Sequence, residues 1–247
     1  MLRNTYELQR HSLDARDGKI GHVTDIYFDD QEWVVRYFVV DTGKWLPGRQ
    51  VLLTPDCIQP AWEARSLRVE LTKDKIENSP PITADEPVSR QRERELADYY
   101  GWPVYTAAGL GWWTGAGPSS SVAAAHVTQQ KSQLAELSDP DPHLRSAQSV
   151  KGYRVLATDD EIGHIEDFLL DDVAWQIPYL VIDTRNWLPG KKVAVGPTWV
   201  VGISWDEKTV RFDVPRQRIE TAPLYDPTAP IGAEIQAQLN GHFKRPS

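Results

Sequence analysis

The sequence predicts a mainly β protein: two repeated small β-barrels, each followed by a C-terminal α-helix. The first observation behind this is internal repetition. Ile20-Gly21-His22 returns as Ile162-Gly163-His164, and Trp45-Leu46-Pro47-Gly48 as Trp187-Leu188-Pro189-Gly190. Between them Asp25, Asp29, Asp30, Trp33, Tyr37, Val39, Asp41 and Thr42 recur at one fixed offset as Asp167, Asp171, Asp172, Trp175, Tyr179, Val181, Asp183 and Thr184. Self-similarity at a fixed spacing marks duplicated structure. The second observation is a period-two apolar pattern rich in aromatic and β-branched residues, which is a strand signal. The third is an apolar stripe recurring every fourth residue near the end of the second copy, which is a helix signal.

The copies extend beyond the strong core. Leu2-Arg3 matches Leu144-Arg145, and a one-residue insertion after Pro197 carries the match on to Pro103 and Pro246. The expected organisation is residues 1–103 and 144–247 as two barrel-plus-helix repeats, joined by a flexible linker over 104–143. Thr106 to Ala125 is mostly Gly, Ala, Ser and Thr, too little apolar surface to offset the entropy of ordering it. Trp112 and Trp113 stand side by side in that segment and are candidate docking residues. Val127 to Leu137 reads as a short helix, and Asp139-Pro140-Asp141-Pro142 would stop it.

Within a copy, Val23–Phe28 and Trp33–Asp41 read as a hairpin, with Asp29-Asp30-Gln31-Glu32 as a solvated turn. Trp33, Val35, Tyr37 and Val39 alternate onto one face. The opposite face begins wet, at Arg36 in one copy and Gln176 in the other, and turns apolar at Phe38 and Val40. Pro178, inside the second copy of this strand, cannot donate to a ladder and predicts an edge or a bulge there. Pro47-Gly48 makes another turn, and Val51–Leu53 and Leu67–Leu71 supply further strands. Closely spaced short strands of this kind read as a small barrel or sandwich. The closing helix carries Val88, Arg92, Leu96 and Tyr100 in the first copy and Ile231, Ile235, Leu239 and Phe243 in the second. Its stripe is expected against the strand face bearing Leu180 and Ile182.

Composition narrows the function classes. The formal charge is −8, with 35 acidic against 27 basic side chains and no Lys/Arg run, so nucleic acid is not an expected partner. Cys57 is the single cysteine, which rules out an internal disulfide and fits a reducing compartment. No apolar stretch reaches the roughly 20 residues of a membrane span, and the N-terminus carries no signal-like apolar run. The expectation is a cytoplasmic protein.

The motif Ile20-Gly21-His22-Val23-Thr24-Asp25, with Val40-Asp41-Thr42-Gly43-Lys44-Trp45-Leu46-Pro47-Gly48-Arg49 after it, resembles the PRC-barrel domain in both copies. Glu95-Leu96-Ala97-Asp98-Tyr99-Tyr100-Gly101-Trp102-Pro103 is similar to the segment after the barrel in bacterial tandem PRC-barrel proteins. The resemblance implies a small all-β barrel that docks on other proteins rather than catalysing a reaction. Known members are the cytoplasmic domain of the photosynthetic reaction-centre H subunit and the C-terminal domain of a ribosome-maturation factor. A ribosome-biogenesis or photosystem-assembly role is therefore one alternative by resemblance.

No catalytic constellation is expected. His22 with Asp25, and His164 with Asp167, are three apart on a strand and point to opposite faces. Asp29-Asp30 and Asp171-Asp172 lack the multi-oxygen spacing of a calcium loop. No phosphate loop or nucleophile elbow is present, so neither a cofactor nor a metal is expected. The best partner-binding candidates are the repeated turns, Trp45-Leu46 and Trp187-Leu188, together with Trp112 and Trp113. The partner would be an unidentified protein or a second copy of the chain. A ligand-binding or hydrolytic site between the barrels is the other alternative, marked by a deep pocket holding His22 or His164 beside a carboxylate.

Overall fold

The computed structural model describes residues 1–9, 11–80, 88, 90–102, 143–184, 191–227 and 233–242. Trp112, Trp113, Trp187, Leu188, Ile231 and Phe243, the Ile235 side chain and the expected linker helix lie outside the described residues.

The first half runs β1 (Leu2–Asn4), α1 (Thr5–Gln9), β2 (Ser12–Ala15), β3 (Gly18–Asp29), β4 (Val35–Asp41), β5 (Gln50–Leu53), β6 (Ile58–Ala61), β7 (Ser66–Val69), α2 (Lys73–Glu77) and α3 (Arg90–Tyr100). The second half repeats that order. It runs β8 (Leu144–Ser146), α4 (Ala147–Val150), β9 (Arg154–Leu156), β10 (Glu161–Asp171), β11 (Tyr179–Asp183), β12 (Lys192–Val195), β13 (Val200–Ser204), β14 (Thr209–Phe212), α5 (Arg216–Glu220) and α6 (Ala233–His242). Two seven-stranded sheets result, ordered β5-β4-β3-β2-β7-β6 and β12-β11-β10-β9-β14-β13. No ladder joins β5 to β6 or β12 to β13 among the described residues, so neither sheet closes into a hydrogen-bonded barrel. No helix among the described residues is long and apolar enough to cross a membrane.

The seventh strand of each sheet comes from the other half. β1 pairs antiparallel with β10, and β8 with β3. One core cluster therefore spans both halves, and the Phe28 and Phe168 rings meet at 5.2 Å between centroids. The hairpin tips lock reciprocally. Ile177 N donates to Trp33 O at 2.7 Å and Val35 N donates to Trp175 O at 2.8 Å. Both tryptophans hold a φ of 55°, a left-handed conformation uncommon for a bulky side chain. Trp33 thus precedes β4 rather than belonging to it, and β11 starts just after Pro178, which cannot donate to a ladder.

Two expectations about the central strand and its helix are corrected. Arg36 is buried rather than wet. A register shift places Tyr27 opposite Tyr37 but Phe28 opposite Val35, and this bulge re-aims Arg36. Its guanidinium lies 2.6 Å from Glu93 on α3 and 3.6 Å from Asp29. The helix accordingly buries Glu93, Leu96 and Ala97, an i, i+3, i+4 stripe, while Arg92 is half-exposed. Leu96 and Val88 pack with Tyr37, Val39 and Leu52, the face opposite Phe38 and Val40. Leu239, the equivalent on α6, is also buried. Each helix end is tied within its own half: Lys75 Nζ donates to Tyr99 O at 2.8 Å, and Arg218 Nη2 to His242 O at 2.9 Å.

Candidate functional site

The acidic hairpin turns, expected to be solvated, instead clamp the halves together. Asp29 Oδ1 accepts from Gln31 N and Glu32 N, which fixes the turn and aims Asp30 at the incoming β8. Arg145 Nε stands 2.5 Å from Asp30 Oδ2, and His143 Nδ1 is 3.0 Å from Oδ1. In the other half Asp172 meets the N-terminal ammonium at 2.5 Å and Arg3 at 3.4 Å.

Asp25 and Asp167 serve the same junction. Asp25 accepts from Ser146 Oγ at 2.6 Å and from Gln148 N at 2.9 Å, so a β3 carboxylate holds the first turn of α4. Burial raises its pKa above the ordinary value, against the lowering effect of hydrogen bonds from Ser146, Gln148 and Ile26 and the charge of Lys151. Asp167 accepts from Thr5 Oγ1 and lies 3.0 Å from Lys151.

A cleft of about 790 Å³ opens at this junction. It is lined by the hairpin tip at Asp30–Trp33, by Gln176, Ile177 and Pro178, and by β13. His143 and Arg145 also line it, already engaged with Asp30. Beside them Val201 is 64% exposed. Its exposure follows from an insertion that the first half lacks. Ile58 pairs with Val69 as Val200 pairs with Phe212, and Gln59 with Arg68 as Gly202 with Arg211, with a register shift between Val200 and Gly202. The single residue inserted after Pro197 is therefore Val201, a bulge. Cys57 corresponds to Trp199, each closing a 3-10 turn. Burial pushes the Cys57 thiol up to about 12, which leaves it protonated and unreactive at neutral pH.

The sequence-derived candidates fall elsewhere. Trp45 is half-buried, with the Lys73 ammonium 4.7 Å from its ring centroid, and Leu46 O accepts from Thr42 Oγ1 at 2.7 Å. Neither residue lines the cleft. Trp187, Leu188, Trp112 and Trp113 lie outside the described residues. The cleft contains neither His22 nor His164. His164 instead shares a strand face with Glu166 and sits across the ladder from Asp183, 3.9 Å from each carboxylate. Ligand atoms of the three lie within 4.8 Å of one another, but Lys192 Nζ already neutralises Glu166 at 2.5 Å. The first half has Thr24 and Gln50 at the positions of Glu166 and Lys192, so the trio is not repeated. Sequence reasoning missed it by testing the i, i+3 pair rather than the i, i+2 pair that shares a face. It also missed β13, whose extra valine was visible as the insertion.

Compared with known proteins, residues 13–77 match the PRC-barrel domain. That stretch runs from β2 through α2, the part of the first half that carries the Ile-Gly-His and Trp-Leu-Pro-Gly motifs. No curated protein matches the chain.

Proposed function

We propose that this chain is a non-catalytic interaction protein built from two PRC-barrel-type units, each followed by its own helix, that docks on a protein partner. The PRC-barrel domain is a general module often associated with interactions, and its match in the first half supports the reading. The observation that carries it is the junction cleft. The half-buried Pro178, Val200 and Ile203 give it apolar surface, and the bulge turns Val201 out beside them. An apolar side chain exposed at the lip of a preformed cleft is a common feature of binding faces. Asp30 and Asp172 are meanwhile committed to joining the halves.

The test is affinity purification from the native cell with the wild type and with Val201→Arg, scored by quantitative mass spectrometry. The expected result is a specific protein lost from the variant, with an unchanged melting temperature. An identical set of co-purifying proteins would show that this cleft is not the docking face.

A further inference from the structure

The two edge strands β6 and β13 occupy equivalent places, and they differ in one respect that governs whether another strand can join. Pro60 pairs with Leu67 on β7, and Ile203 pairs with Val210 on β14, on the same rung. Proline has no N–H, so the nitrogen at this rung is the one turned away from the neighbouring strand. In β6 the outward position is thereby blocked, a usual protection for a sheet edge. In β13 isoleucine supplies an N–H and a C=O directed away from β14. Among the described residues neither has a hydrogen-bond partner, and this edge lines the junction cleft. The bulge at Val201 does not shield it but places an apolar side chain over the cleft. A Cβ built on Gly202 would meet nothing within 4 Å, so space remains above the strand.

We infer that the open edge of β13 takes up an extended segment of a protein partner as an added β-strand, apolar toward Val201 and Pro178 and basic toward Glu32. This deepens the proposed interaction role and rests on it. Backbone bonding at Ile203 would supply affinity, and alternate side chains would supply selectivity. The charge preference comes from the rim. Arg145 is engaged with Asp30, whereas the exposed Glu32 carboxylate makes no ion pair among the described residues. A second copy of this chain, at a formal charge of −8, fits that rim less well than a basic segment does.

The experiment pans a phage library of random dodecapeptides against the full chain. The enriched peptides are then measured by fluorescence anisotropy on the wild type, Ile203→Pro and Glu32→Lys. Ile203→Pro copies the residue already tolerated on β6, and melting temperature and circular dichroism confirm that it folds. The expected result is enrichment of alternating apolar and basic sequences, binding at least about tenfold weaker to Ile203→Pro (about 1.4 kcal/mol), and a weaker preference for basic residues with Glu32→Lys. Peptides that bind the wild type and Ile203→Pro equally would overturn strand addition while leaving an interaction role at another face. No enriched peptide, or a wild-type dimer abolished by Ile203→Pro, would overturn the stated occupant. A lysate comparison in which neither the wild type nor Val201→Arg retains a specific protein would remove the interaction role itself.

Discussion

Arg145 Nε lies 2.5 Å from Asp30 Oδ2, an ion pair between residues 115 apart that fastens the second half's leading strand to the first half's sheet. Both side chains are nearly buried, at 12% and 11% exposure. Removing the guanidinium leaves the nearly buried Asp30 carboxylate with His143 Nδ1, at 3.0 Å, in place of its closest ion-pair partner. Arg145→Ala should lower stability by roughly 3 kcal/mol, the low end for a broken buried pair. Arg3→Ala should do less, because its contact to Asp172 is longer and the N-terminal ammonium remains there. Urea unfolding of both variants, with Asp30→Asn to complete a double-mutant cycle, measures this. A coupling below about 0.5 kcal/mol would reduce the pair to a surface contact.

The Ile-Gly-His motif is set by a backbone approach. A Cβ at Gly21 would stand 1.9 Å from Asp41 O, and one at Gly163 would stand 2.0 Å from Asp183 O. Neither strand can move without disturbing the hairpin on which the fold is built. Gly21→Ala and Gly163→Ala should each cost at least about 3 kcal/mol, the upper range for overpacking, lowering Tm by roughly 6–12 °C in a chain of this size. Gly43→Ala, in open space but at a φ of +56°, should cost only about 1 kcal/mol. Equal melting of all three would contradict the close approach.

Asp25 gives the junction a pH dependence of determinate sign. Its folded pKa is raised by burial above the ordinary 3.8, so the folded chain holds that proton more tightly than the unfolded one. Its contribution to stability is complete below the unfolded pKa and is lost as pH rises through the folded value. Asp25→Asn keeps the Oδ1 acceptor for Gln148 N, turns its amide NH2 to the Ser146 hydroxyl oxygen, and does not titrate. From about pH 4 upward, the wild type should lose stability relative to this variant in urea titrations at stepped pH. A wild type that gains on the variant would mean that the hydrogen bonds outweigh the burial.

Much of this was legible in the residues, and the gaps have physical causes. The fixed offset located equivalent strands because duplicated pleats need the same inward side chains. It could not say which sheet receives β1 and β8. Leu2-Arg3 and Leu144-Arg145 are the same dipeptide, and Asp30 and Asp172 offer the same carboxylate, so own-sheet and exchanged pairing read identically in sequence. Glu93 was missed because a buried carboxylate resembles a solvated one until its arginine is placed, and the bulge that places Arg36 is a property of register. The edge at β13 was equally hidden. The change from Pro60 to Ile203 is plain when the two copies are aligned, but whether a strand is terminal depends on sheet order.

Arg36 and Glu93 provide the sharpest test of how the helix is held. Their side chains are 3% and 7% exposed, and the 2.6 Å contact joins β4 to α3 beneath Tyr37. A helix of 11 residues is marginal alone in water, so α3 should depend on this pair and on Leu96. Glu93→Ala removes the short contact to a buried guanidinium whose ion pair to Asp29 is longer, at 3.6 Å, and should cost about 3–5 kcal/mol. Hydrogen exchange should rise across Arg90–Tyr100 before it rises in β4. Replacing both charges, Arg36→Met with Glu93→Leu, should recover most of the loss, because apolar isosteres of buried ion pairs are often neutral or better. If the single variant instead exchanges and melts as the wild type does, the helix is held by Leu96 and Val88 alone and the bulge at Arg36 has no structural consequence.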